Sequence, residues 1–345
     1  MSDFLFSYGL FIAKVITGLI ALIFAMAIIG SSRKKEDSSK LNITNLNSKF
    51  KEIKSQVQQA VMDKKEFKQL AKDSAKLEKK NAKSKKVSMP RPKLFVLEFD
   101  GDIKASEVST LREEITAVLS VAKPQDEVLL KLDNSGGIVH EHGLAASQLK
   151  RITDAKLNFT VSVDKVAASG GYMMACVADR IVAAPFAIIG SIGVLAQLPN
   201  FNRLLDKAGI DFEQHTAGEY KRTVTMFGKN SDKERDKLKL DLQETHDLFR
   251  NFVLENRANL DIEKVATGEH WYGTQALELN LVDTLQTSDE FLIEALDQFD
   301  IYKIKMEEKK GLQDRLFGGL FANLNTASSR LSDRIADAQQ ASRYR

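Results

Sequence analysis

Leu10 to Ile29 is apolar apart from Lys14 and Thr17, and Arg33, Lys34 and Lys35 follow closely. At about 1.5 Å rise per residue, such a stretch spans a hydrocarbon core of about 30 Å. Residues 1–32 are therefore expected to form an N-terminal transmembrane anchor. Leu46, Phe50, Ile53, Val57 and Ala60 then recur at spacings of four and three until Lys64 interrupts them. That is the seam of a short heptad helix. Residues 33–93 read as a basic, partly helical stalk that helps subunits associate, or as a solvated linker, and Pro90 and Pro92 close the segment.

Past the prolines the period changes. Leu94 to Phe99 is a short apolar run closed by Asp100 and Gly101, and Val108, Leu111, Ile115, Val118 and Leu119 follow at helical spacing. Strand then helix is predicted. The pattern repeats with Val128 to Leu132 before a helix over Val139 to Ile152, and with Phe159 to Val163 before a helix opening near Ser169. Repeated crossover units of this kind make an α/β domain, expected over residues 94–300. Ile181 to Leu198 is uncharged, but Pro185, Gly190, Ser191 and Gly193 suit a turn between buried strands better than a second span. A short helix after Pro199, a strand over Asp211 to Thr216 and a long charged helix from Ser231 to Glu255 complete the prediction. Residues 301–345 are expected to form an amphipathic tail carrying Leu316, Leu320, Leu324 and Leu331.

Charge sharpens this division. Residues 33–93 hold 19 Lys/Arg against 7 Asp/Glu, while residues 94–345 hold 30 against 39, so the overall balance of +3 hides a polarised molecule. A basic segment beside a span is attracted to anionic lipid headgroups, by about 1 kcal/mol per basic residue near the surface. Nucleic acid is not expected as a partner, since almost no aromatic residues interleave with those charges. A single cysteine, Cys176, excludes an intrachain disulfide and a cysteine metal cluster.

Four short segments carry candidate chemistry. Asp133-Asn134-Ser135-Gly136-Gly137 follows a buried strand, and paired glycines let backbone amides approach a ligand, although most such pairs are simply turns. Ser169 opens an apolar helix within Ala167-Ala168-Ser169-Gly170-Gly171-Tyr172, at the positive end of the helix dipole. On its own it also reads as a helix cap. Gly190-Ser191-Ile192-Gly193 is the third segment and Ala217-Gly218-Glu219-Tyr220-Lys221-Arg222 the fourth. A lysine activates a serine only where burial favours its neutral form, and a lone loop lysine is ordinarily a surface charge.

In this order the four segments resemble the signal peptide peptidase A family of serine peptidases. The resemblance extends to the leading span, to Thr110-Leu-Arg-Glu-Glu-Ile-Thr, to Ala266-Thr-Gly-Glu-His-Trp-Tyr-Gly and to Leu281-Val-Asp, so it covers nearly the whole chain. It implies a ClpP/crotonase-like fold of repeated β-β-α units, with Ser169 as nucleophile and Lys221, 52 residues later, as general base. Ser191 is expected to orient that lysine, and the amides of Gly136 and Gly170 to form the oxyanion hole. Substrate is expected to lie extended beside Gly137, Ile192 and Gly193. Also implied are hydrophobic peptide substrates such as signal-peptide remnants, a homo-oligomeric ring at the bacterial inner membrane, and no cofactor or metal. Where the family usually has proline before the paired glycines, Ser135 stands here.

Other chemistries fit less well. A Ser-His-Asp arrangement needs a histidine soon after the nucleophile helix, and residues 170–214 contain none. His140 and His142 are two apart, which on a helix points the rings away from each other, unlike a zinc-protease pair. An acyl-CoA hydratase or isomerase on the same fold, and a membrane scaffold without activity, are the rival functions. The positive-inside rule places the catalytic domain in the cytoplasm, whereas the family resemblance places it outside the inner membrane.

Overall fold

In the computed structural model, the predicted strand and helix units are realised between Lys93 and Asp154. Described are residues 6–12, 14–18, 40–70, 72–73, 76 and 91–307. Strand β1 is Lys40–Asn45, helix α1 Leu46–Val61, β2 Lys93–Gly101, α2 Val108–Leu119, β3 Glu127–Asn134 and α3 Val139–Asp154. Then come β4 Asn158–Val163, β5 Val166–Ala168, α4 Gly170–Ala175, β6 Arg180–Ala183, β7 Ile188–Gly190 and α5 Asn202–Lys207. The long helix α6 is Asp232–Asn256, followed by α7 Ile262–Val265, β8 His270–Tyr272, α8 Gly273–Glu278, β9 Thr284–Leu285, α9 Ser288–Ala295 and β10 Asp300–Glu307. Leu41–Met306 forms one compact unit.

The strands make one ten-stranded sheet in the order β1-β10-β2-β3-β4-β6-β9, with β5 paired to β3 and β7, and β8 antiparallel to β7. Val128, Leu129 and Leu130 are all fully buried. A continuous apolar run of this kind is what a parallel strand covered on both faces requires. Helix α2 buries Val108, Leu111, Ile115 and Val118, the residues its helical period selects. Its neighbour α3 buries Ala145, Ala146, Leu149 and Ile152. Helix α6 starts at the Ser231–Glu234 capping box and α9 at the Thr287–Glu290 box, each satisfying amides that a helix start leaves open.

Several expectations need correction. The first part of the stalk is built into the domain: β1 joins the sheet edge, Leu46 is buried, and Asn47 donates to Phe299 O at 3.0 Å and accepts from Ile301 N at 2.6 Å. Of the heptad seam, Leu46 and Phe50 pack against the core, whereas Ile53 and Val57 are exposed. The boundary drawn at residue 301 also moves, because β10 lies between β1 and β2 and carries buried Ile301 and Ile304. Residues 211–216 form no strand. Backbone groups there have no neighbouring strand to pair with, and Phe212 packs on Phe227 with ring centroids 5.8 Å apart.

Most of the Leu10–Ile29 span and of the tail beyond Glu307 lies outside the described residues. Residues 6–12 and 14–18 are helical, and no described helix is long and apolar enough to cross a membrane.

Candidate active site

Three neighbouring strand ends bring the first three sequence segments together. Asn134 at the end of β3 pairs with Ala167 of β5, and Ala168 of β5 pairs with Gly190 of β7. Parallel strands in register end side by side, so the turn after Asn134, Ser169 after β5 and Ser191 after β7 meet at one edge. The Ser169 amide donates to Gly190 O at 2.8 Å. Gly136 approaches so closely that a Cβ there would lie 2.6 Å from the Ser169 Cβ and 2.8 Å from the Gly170 nitrogen.

Ser169 is half-buried and has φ 53° and ψ −119°, a conformation costly for any residue with a side chain. It starts α4, yet its hydroxyl makes no capping bond. A helix cap would have extended backbone and an oxygen turned back to the first-turn amides. Ser169 has neither, and it faces a cavity instead.

The two expected oxyanion donors differ. Gly170 N is a first-turn helix amide, without an intrahelical partner by position. Gly136, at φ +88°, instead donates its amide to Asn134 Oδ1 at 2.5 Å. The amide of the next residue, Gly137, has no acceptor among the described residues, and Gly137 is among the residues that line the same cavity as Ser169. On geometry Gly137, expected to contact substrate, is the better donor.

Ser191 also has a left-handed backbone, at φ 51°. Its amide donates to Glu269 O at 2.7 Å and its hydroxyl to Gly268 O at 3.4 Å, so it is not bonded to Lys221. Ile192 is buried and its carbonyl accepts from Gly268 N, while Gly193 reaches the Ser169 cavity. Lys221 is exposed in the loop before α6 and lines a different cavity of about 750 Å³, with Phe212, His215, Arg222 and Phe227. Within one chain the structure therefore gathers Gly136, Gly137, Ser169, Gly170, Ser191 and Gly193, and leaves Lys221 apart.

The Ser169 cavity is about 420 Å³ and mostly apolar, walled by Val139, Met173, Val194, Leu248, Phe249 and Phe252. Sequence reasoning missed its α6 wall. Leu248, Phe249 and Phe252 share one face of an otherwise charged helix, and that spacing was the available signal. Cys176, just past the end of α4, and Tyr172 are fully buried, so neither is reachable as a nucleophile, and burial pushes the Cys176 thiol up to about 12 and raises the Tyr172 phenol as well. No group of residues able to hold a metal occurs among the described residues.

The family model for the N-terminal part of peptidase family S49 matches residues 3–149, and that for peptidase family S49 matches residues 151–301. A probable protease SohB from Buchnera aphidicola subsp. Acyrthosiphon pisum is 49% identical over 94% of this chain and 96% of its own length. The probable protease SohB of Haemophilus influenzae is 47% identical over 90% of this chain and 92% of its own. Among solved structures, a membrane-bound stomatin-specific protease superposes with a TM-score of 0.40 at 13% identity, covering 60% of this chain and 85% of its own. With family models spanning almost all of residues 3–301, the chain belongs to peptidase family S49.

Proposed function

We propose that the chain is a serine endopeptidase in which Ser169 is the nucleophile and Lys221 the general base. Supporting this most strongly is the strained backbone of Ser169, which turns its hydroxyl into an apolar cavity next to Gly137 and Gly170. In the first step Ser169 Oγ attacks the peptide carbonyl carbon and its proton passes to the neutral amine of Lys221. The carbonyl oxygen becomes negative, and the Gly137 and Gly170 amides are placed to bond it; one such donor typically lowers the barrier by about 3 to 4 kcal/mol. Collapse of the intermediate breaks the C–N bond, the lysine ammonium protonates the leaving amine, and water then hydrolyses the Ser169 ester by the same route.

Lys221 reaches this site by association of subunits. It is exposed on a loop and shares its cavity with exposed Leu198, Phe212 and Phe227, an apolar surface suited to a second copy in a ring. Covering that surface removes water from the lysine, the condition for its neutral form. Ser191 then serves to orient the lysine after its weak bond to Gly268 gives way. The apolar cavity suits an aliphatic or aromatic substrate side chain beside the scissile bond, and a peptide extended along Gly137 and Gly193 pairs its main chain there. Hydrophobic, membrane-associated peptides fit both this cavity and an N-terminal anchor in the inner membrane. A reporter enzyme fused after the domain decides which side of the membrane it occupies.

Cleavage of a fluorogenic apolar peptide by the detergent-solubilised full chain tests the reading. Ser169→Ala and Lys221→Ala are each expected to lose at least about 10⁴-fold in kcat, as removal of a nucleophile or its base does. Full activity in either variant overturns the dyad.

A further inference from the structure

Asn134 and His142 lie directly behind the reacting groups, and the proposed mechanism uses neither. Both are buried. Asn134 ends β3, and its Oδ1 lies 2.5 Å from the Gly136 nitrogen and 3.2 Å from His142 Nε2. His142 stands in the first helical turns of α3, with Nδ1 2.9 Å from Ile138 O. Both ring nitrogens face oxygens and a neutral imidazole has one N–H, so the ring donates to one of Ile138 O and Asn134 Oδ1 and rests in contact with the other.

Glycines surround the pair at contact distance. A Cβ on Gly170 would lie 2.4 Å from His142 Cγ, so the ring rests against the backbone of that oxyanion donor. A Cβ on Gly171 would lie 2.1 Å from Asn134 O, and one on Gly101 would lie 1.8 Å from Asn134 Nδ2. Asn134 Nδ2 has no acceptor among the described residues. An orphaned buried donor costs stability, whereas the oxygen of the same amide makes both contacts that fix the turn. Ser135 between them has the free φ that a proline would lack.

We infer that Asn134 and His142 are positioning residues that hold the Gly136-Gly137 turn in register with Gly170, supplying through side-chain hydrogen bonds the rigidity that Ser135 does not. The inference rests on the proposed reading of Ser169 as nucleophile and of this turn as part of the oxyanion hole. His142 thereby braces both halves: one through Asn134 and Gly136, the other through its packing on Gly170. Misplacing a donor by about 1 Å costs on the order of 10²-fold in rate. The loss should fall on the transition state, because the substrate side chain still finds its cavity.

The test uses the full chain in detergent, an apolar fluorogenic peptide and a peptide aldehyde, whose hemiacetal oxygen occupies the oxyanion site. Asn134→Ala and His142→Phe are expected to lower kcat by about 10- to 100-fold with KM within about twofold, and to weaken the aldehyde by the same factor. Adding Ser135→Pro to Asn134→Ala should recover at least about tenfold, because the ring restricts the turn directly. Should His142→Phe fail to fold, Asn134→Ala and its proline partner carry the test, since they leave the ring in place. Wild-type kcat and aldehyde affinity in these variants, a loss confined to KM, or no recovery with proline overturns the inference. Ser169→Ala is assayed in parallel: if it is inactive while Asn134→Ala matches wild type, the positioning role alone fails, and if it stays active the underlying reading fails.

Discussion

Ser169 is one of five non-glycine residues held at positive φ among the described residues, and the proposed nucleophile role gives its strain a reason. A left-handed conformation at a residue with a side chain costs of order 1–3 kcal/mol, and glycine removes that cost. Ser169→Gly is therefore expected to be about 1–2 kcal/mol more stable than Ser169→Ala in denaturant unfolding, with both inactive; equal stability would show that no strain resides there. Cys176 gives a second check at this scale. Its buried thiol, pushed up to about 12, should resist iodoacetamide at pH 8 in the folded protein and react after unfolding. From the residues alone Ser169 was legible as the opening of an apolar helix, a cap as readily as a nucleophile, and the paired glycines as a backbone-exposing turn. Which glycine keeps a free amide was not, because that depends on Asn134 folding back onto Gly136.

At the scale of elements, three parallel strand ends make the site and α6 walls its cavity. Gly143 of α3 lines that cavity with nothing within 4 Å of a would-be Cβ. Gly143→Ala is expected to add about 0.5–1 kcal/mol of stability, while Gly143→Leu should fill the cavity and lower kcat/KM for large apolar residues more than for alanine, as a peptide series would show. Arg257, just past α6, fastens the helix to Asp283 with bonds of 2.7 and 2.9 Å. Burial raises the Asp283 carboxyl, but the Arg257 bond and the Ile181 amide outweigh it and leave it lowered. Its stabilising contribution is therefore present above the unfolded value of 3.8 and lost as pH falls through the lower folded value. Arg257→Met should melt earlier than wild type at pH 7, with the deficit shrinking as the pH falls through that range; a constant deficit would contradict the coupling. Strand and helix order from Leu94 to Val163 followed from hydrophobic period, whereas the short strand β5 before Ser169 did not. Nor did strands β1 and β10, because Lys40, Lys303 and Lys305 interrupt them; the pairings of Lys303 with Glu98 at 2.6 Å and of Lys305 with Glu107 at 3.3 Å reconcile the β10 charges with a place in the sheet.

The whole molecule is divided between a basic N-terminal segment and an acidic domain, and the candidate dyad between two cavities. A dyad completed by a second copy predicts complementation: equal amounts of the inactive Ser169→Ala and Lys221→Ala proteins, dissociated and reassembled together, should regain activity in mixed rings. No recovery would place both residues in one subunit. The family resemblance had joined Ser169 and Lys221; which subunit supplies the lysine was not legible in one chain, because on the proposed reading the pairing arises at a surface the chain leaves open. Labelling the full chain with a fluorophosphonate and mapping the adduct by mass spectrometry tests the Ser169–Lys221 dyad itself. One adduct is expected, on Ser169, absent from Lys221→Ala although that variant remains folded. An adduct on another residue, or undiminished labelling of Ser169 in Lys221→Ala, would contradict the dyad.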